Sequence, residues 1–105
     1  MKILHVEDYK DWREIVSRAL KNYELTSVET LAEAKTAFSA NNFDCIICDG
    51  TLDENHSGDG IEWAIELQQK GQKVILLSGS QNNLISLSLC KRNYNPDSLI
   101  RLLNS

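Results

Sequence analysis

The apolar residues of this chain fall into short runs, none longer than four residues, and these runs alternate with stretches of helical periodicity. The longest, Cys45 to Cys48 and Val74 to Leu77, are far too short to span a membrane, which takes about 20 apolar residues. Short apolar runs bounded by polar residues fit strands buried on both faces. Ile3 to Val6 reads as the first such strand. Trp12, Ile15, Val16, Ala19 and Leu20 follow at helical spacing, with charged residues on the opposite face. Leu25 to Glu29 is a second strand candidate, and Thr30-Leu31-Ala32-Glu33 has the form of a capping box opening a helix that buries Leu31, Ala34 and Phe38. Phe43 to Cys48 is a third strand, and Ile61, Ala64, Ile65 and Leu67 mark a helix running to about Lys70. Val74 to Leu77 is a fourth strand. Asn95-Pro96-Asp97 is an N-cap followed by proline at the first helical position, with Leu99, Leu102 and Leu103 lining the last helix. Strand and helix in regular alternation predict a doubly wound α/β domain with a parallel sheet, whose ligands sit at the carboxyl ends of the strands.

Length and charge narrow the field further. A chain of 105 residues fits one domain, residues 1–105, with a core large enough to need no metal or disulfide staple. The formal net charge of -4 argues against nucleic acid as a partner. Between Thr36 and Gln69 lie seven acids and no lysine or arginine, a density that suits a solvated face or a bound cation. Glu7 and Asp8 stand where a signal peptide needs its apolar stretch, so a cytoplasmic protein is expected. Cys45 and Cys48, three residues apart on a strand, point to opposite faces, so they read as buried reduced thiols.

At the predicted carboxyl ends of the strands stand Glu7-Asp8, Asp49 and Ser78-Gly79-Ser80, with Lys91 and Arg92 after the last strand. Three carboxylates gathered on one sheet edge repel one another, and a divalent cation is their natural neutraliser. Carboxylates, water and a backbone carbonyl make the octahedral oxygen shell that Mg²⁺ accepts. The acidic pair has a competing use, since Asp8 could cap the helix that follows.

These residues resemble the receiver domain of two-component response regulators. The resemblance runs through Ile3-Leu4-His5-Val6-Glu7-Asp8, Phe43-Asp44-Cys45-Ile46-Ile47-Cys48-Asp49, Gly58-Asp59-Gly60-Ile61-Glu62, Val74-Ile75-Leu76-Leu77-Ser78-Gly79 and Tyr94-Asn95-Pro96-Asp97-Ser98-Leu99, in order along the chain. It implies a flavodoxin-like sheet of about five strands. It further implies that Asp49 is a phosphoacceptor, fed by a histidine kinase or a histidine phosphotransfer protein. Glu7, Asp8, Asp49 and the backbone carbonyl of Thr51 would hold Mg²⁺, and Ser78 would be the switch hydroxyl. Either Lys91 or Arg92 would pair with the phosphoryl group. Aligning Tyr94-Asn95-Pro96 with the family puts Arg92 at the lysine position, whereas a one-residue shift, the preferred choice, puts Lys91 there. The helix from about Tyr9 to Asn22 and the segment Lys91 to Pro96 would help dock the donor. No output domain is expected after the last helix, so the signal would pass by contact with a separate effector.

The sequence departs from the family in three places. The loop after Asp49, Gly50 to Gly58, is lengthened and carries His56, read as a solvated residue. The lysine position is ambiguous, as described. Only about a dozen residues separate Ser78 from Lys91, where the family fits a helix and a strand. Ile85, Leu87 and Leu89 alternate with Ser86, Ser88 and Cys90, which predicts a strand from Ile85 onward. Gly79 to Leu84 is then all that joins strands four and five, whereas a parallel crossover takes a dozen residues or more. The fourth helix of the pattern is therefore expected to be missing or vestigial. Strand five is expected to run differently or to pair with another chain, giving a homodimer through the C-terminal segment. A haloacid-dehalogenase-type phosphatase, suggested by Asp49-Gly50-Thr51-Leu52, fails because Ile47 stands where that motif needs its nucleophilic aspartate. The remaining alternative is a pseudo-receiver, an interaction module that does not switch by phosphate.

Overall fold

In the computed structural model, which describes residues 1–50, 59–79 and 83–105, five strands form one parallel sheet in the order β2-β1-β3-β4-β5. The strands are β1 (Lys2–Val6), β2 (Glu24–Val28), β3 (Cys45–Cys48), β4 (Val74–Ser78) and β5 (Leu87–Cys90). The helices are α1 (Lys10–Ala19), α2 (Leu31–Ala40), α3 (Asp59–Gln69) and α4 (Pro96–Leu103), with a 3-10 turn over Lys91–Asn93. Every residue of β3 and β4 is buried, whereas β2 at one edge is largely exposed. This is why the central strands read as unbroken apolar runs.

Alternation along the strands divides the core in two. Leu4, Val6, Ile46, Cys48, Val74 and Leu76 face one way and pack with Ala34 of α2 and Trp63, Ala64 and Leu67 of α3. Ile3, Cys45, Ile47, Ile75 and Leu77 face the other way and pack with Val16 and Leu20 near α1 and with Leu99 and Leu103 of α4. The caps behave as the local sequence predicts. Thr30 Oγ1 accepts the backbone N–H of Glu33 at 3.1 Å, and Asn95 Oδ1 accepts that of Asp97 at 2.8 Å. At the end of α3, Gly71 takes φ +94°, and the N–H of Gln72 returns to the carbonyl of Leu67, closing the last turn as glycine permits. Lys73 donates to the carbonyls of Leu103 and Ser105 at 2.7 and 2.9 Å, satisfying the C-terminal end of α4.

Two expectations about the fifth strand need correction. It neither departs from the sheet nor requires another chain, because β5 pairs in parallel with β4 of the same chain, from Ile75 opposite Leu87 to Ser78 opposite Cys90. The link from Gly79 to Ser86 returns the chain only from the level of Ser78 to that of Ile75, about 10 Å along the strand. Eight residues can reach up to roughly 27 Å. What is missing is the helix, since no helix occurs between β4 and β5 among the described residues. The strand also starts later than its alternation suggested. Leu87 and Leu89 pack on the α1 and α4 side, but Ile85 is buried on the opposite side with Trp63, Leu67 and Leu76. The Gln68 side chain on α3 holds the chain around Ile85, its amide donating to the carbonyl of Leu84 at 2.8 Å and its oxygen accepting the N–H of Ser86 at 2.9 Å.

Candidate functional site

The carboxyl ends of β1 and β3 lie side by side, and their next residues continue the ladder. The N–H of Asp49 reaches the carbonyl of Val6, and that of Glu7 reaches the carbonyl of Val28, each at 3.0 Å. Glu7 and Asp49 are thereby drawn into the protein, at 0% and 2% exposure, while Asp8 stays exposed. One carboxylate oxygen from each of Glu7, Asp8 and Asp49 lies within 4.8 Å of the others. Asp8 does not cap α1. The N-cap is Tyr9, which lacks a side-chain cap bond, and its N–H points to Glu7 Oε2 at 3.2 Å.

Lys91 enters this acidic group from the 3-10 turn after β5. Its Nζ lies 2.7 Å from Glu7 Oε1 and 3.4 Å from Asp49 Oδ2, and its side chain is 17% exposed. Arg92, the alternative cation, is exposed and lies beside the Cys90 thiol, where hydrogen bonding from its backbone and side chain lowers the thiol pKa. Ser78, at the end of β4, is buried. Its Oγ lies only 3.0 Å from where a Cβ at position 50 would stand, and Ile61 Cδ1 would lie 3.1 Å from the same point. Gly50 therefore lets Ser78 and α3 close in beside Asp49. Thr51, His56 and Ser80 lie outside the described residues.

Burial raises the Glu7 pKa, and the hydrogen bond and charge of Asp49 raise it further; Lys91 works in the opposite direction. One lysine thus compensates only part of the buried acidity. A hard, oxygen-seeking cation fits this donor set, since it would favour the charged form of all three carboxylates at once.

Three residues at the site carried no functional signal in the sequence. Arg13 of α1 donates to the carbonyl of Glu7 at 2.9 Å and pairs with Glu29 at 3.2 Å, clamping the loop that presents the acidic pair. Trp12 lies beneath the Lys91 ammonium, 5.2 Å from Nζ to the ring centroid. His5 on β1 is 1% exposed, and neither ring nitrogen has a hydrogen-bond partner. Burial, followed by the charge of Lys91, pushes its pKa down to about 4, so the ring is neutral. A helical periodicity records that Trp12 faces inward but not that a lysine rests on it.

A five-stranded parallel sheet with a carboxylate trio and a lysine at its carboxyl edge is a doubly wound α/β domain with its polar site at the strand ends. The sequence matches the family described as response regulator receiver domain over residues 3–93, and the chain belongs to that family. Among curated proteins, none matches the sequence. Solved structures give the same fold. The chemotaxis response regulator CheY4 of Vibrio cholerae superposes with TM-score 0.81 at 24% identity, covering 98% of this chain and 95% of that one. A receiver domain from Methylobacillus flagellatus gives 0.81 at 23% identity, over 99% and 96% of the two chains. The signal receiver domain of an HD domain-containing protein from Pseudomonas fluorescens gives 0.83 at 20% identity, over 98% and 90%.

Proposed function

We propose that this receiver domain accepts a phosphoryl group on Asp49 from a histidine kinase or histidine phosphotransfer protein. The observation that carries this reading is the placement of Asp49: a buried carboxylate at a strand end, with two further carboxylates within 4.8 Å and an ammonium 3.4 Å from Oδ2. A carboxylate oxygen of Asp49 attacks the phosphorus of the donor phosphoimidazole. The new O–P bond forms as the N–P bond breaks, and the leaving imidazole regains its neutral form by taking a proton. Glu7, Asp8 and Asp49 would hold Mg²⁺, with the Thr51 carbonyl as a further ligand; when bound, the ion neutralises charge on the phosphoryl oxygens. Lys91 pairs with another of those oxygens and Ser78 donates its hydroxyl to the attached group. Arg92, exposed beside Cys90, has the weaker case as the pairing cation.

The setting is cytoplasmic, and no described helix is long and apolar enough to cross a membrane. The output is contact with a downstream effector. A homodimer through the C-terminal segment is not needed to complete the sheet, because β5 finds its place within the chain. The shortened β4–β5 link favours one competing reading, a pseudo-receiver that keeps the fold without switching. Incubation with Mg²⁺ and acetyl phosphate, followed by intact-mass measurement, separates the two. The proposal expects one phosphate adduct, absent in Asp49→Asn. An unmodified protein with no Mg²⁺ affinity would leave the pseudo-receiver.

A further inference from the structure

The Lys91 side chain is held from two directions, only one of which belongs to the acidic pocket. Glu7 and Asp49 attract the ammonium from above the sheet, at 2.7 and 3.4 Å. The face of Trp12 meets it from α1, with Nζ 5.2 Å from the ring centroid. The indole is itself fixed by Tyr94, whose ring meets it edge to face at 5.3 Å with an interplanar angle of 87°. Tyr94 is partly buried, and its hydroxyl has no hydrogen-bond partner, so its place in the structure comes from ring packing.

We propose that Trp12 is a positioning residue for phosphoryl transfer, acting through Lys91. This inference rests on the reading of Asp49 as the acceptor and deepens it. The strongest anchor of the ammonium, Glu7, is also one of the three residues that would bind a divalent cation. Once Glu7 turns to that cation, its attraction for Lys91 weakens. The negative face of the indole remains, and it keeps the ammonium near Asp49 rather than out in solvent. A long, flexible lysine stem needs such a second support more than a planar arginine fork would. Trp12 never touches the reacting atoms; it determines where the cation that does so waits.

The test uses the full chain, acetyl phosphate and Mg²⁺, and follows the mass adduct over time in Trp12→Phe, Trp12→Leu, Lys91→Met and the Trp12→Leu/Lys91→Met double variant. Leucine keeps an apolar packing group but removes the ring face, whereas phenylalanine keeps a ring face. Trp12→Phe should react within about twofold of the unmutated protein, and Trp12→Leu roughly fivefold to tenfold more slowly. Lys91→Met should be slower still, and adding Trp12→Leu to it should change nothing further. Thermal unfolding of each variant checks that all are folded. The inference is overturned if Trp12→Leu reacts as fast as the unmutated protein, if phenylalanine does not rescue, or if leucine slows the Lys91→Met protein by the same factor. Absence of any adduct on the unmutated protein would instead remove the acceptor reading, and this inference with it.

Discussion

The chain crosses from β3 to β4 and from β4 to β5 in very different ways. The first crossover carries α3, whose Trp63, Ala64 and Leu67 are buried against the sheet. The second has eight residues and, among those described, no helix. There, among the described residues, Ile85 at 3% exposure fills the core position, and the Gln68 amide reaches over from α3 to hold the backbone on both sides of it. The comparison teaches that a parallel crossover needs a cover for the sheet face and partners for its own backbone, and that a helix is only the usual way of supplying both. Here the neighbouring helix lends the hydrogen bonds, and one isoleucine supplies the cover.

The short crossover is therefore fragile at Ile85. Ile85→Ala should lower unfolding free energy by about 3 kcal/mol, the range for truncating a buried isoleucine that leaves a cavity. Urea denaturation would measure it. A loss below about 1 kcal/mol would mean that the crossover does not depend on Ile85 and that the comparison with α3 is mistaken.

The acidic site differs from both crossovers in using buried polar groups that work against stability. His5, with no partner for either ring nitrogen, is the clearest case. His5→Leu, close in size, should raise stability by about 2 kcal/mol near neutral pH, since an unpaired polar group leaves the core. Its pH dependence has a definite sign. The folded state holds His5 at about 4 against an ordinary value of 6.5, so between these limits the unfolded chain binds the extra proton. The His5 contribution is therefore intact above about pH 6.5 and is lost as pH falls toward 4, by up to about 3 kcal/mol. Glu7, whose pKa is raised, acts the other way and favours the folded state as pH falls. Denaturation of metal-free protein at pH 7.5 and 5 should show a larger gain for His5→Leu at pH 5; an equal or smaller gain would count against the buried neutral ring.

How far the sequence revealed this arrangement depended on distance along the chain. β1, β3 and β4, the Thr30 capping box and the Asn95-Pro96 start of α4 were legible because their signals lie within a few neighbouring residues. So was the meeting of Glu7, Asp8 and Asp49, since a doubly wound sheet leaves the ends of β1 and β3 nowhere else to go. Ile85 was misread because its spacing continues the alternation of Leu87 and Leu89, while the hydrogen bonds that keep it off the strand come from Gln68, 16 to 18 residues earlier. Lys91 and Arg92 are adjacent and alike in charge, and only the 3-10 turn decides which side chain faces the carboxylates. Trp12 showed its periodicity but could not show the lysine 79 positions later that rests on it.

The Gln68 clamp can be tested separately from the isoleucine. Gln68→Ala removes two hydrogen bonds at a largely exposed position, where water can replace them, so the expected loss is about 1 kcal/mol. Native-state hydrogen exchange gives the sharper readout: the Ser86 amide, which donates to Gln68, should exchange faster while amides of β3 keep their protection. Unchanged exchange at Ser86 would show that the crossover is held without Gln68.

The smallest effect concerns what a covering helix does for the groups beneath it. Cys48 and Cys90 sit near the carboxyl ends of β3 and β5. Leu87 and Leu89 turn toward α4, so Cys90 faces the side on which Cys48 lies, but only Cys48 is covered by α3. The Cys48 sulfur lies 3.6 Å from the carbonyl of Gly60 in α3, and burial raises its thiol pKa. Cys45, buried on the other face, is likewise pushed up, to about 11. Cys90 is half-buried, hydrogen bonds from Arg92 lower its pKa, and its sulfur lies 3.9 Å from the carbonyl of Gly79, the first residue of the short crossover. Since the thiolate is the reactive form, iodoacetamide at pH 8 should label the native protein once, at Cys90. The rate should rise with pH and level off below the ordinary thiol pKa of about 9. Cys45 and Cys48 should label only after denaturation. Peptide mapping of the alkylated protein decides it: labelling of Cys48 in the folded state, or protection of Cys90, would mean that the two crossovers shield the sheet equally.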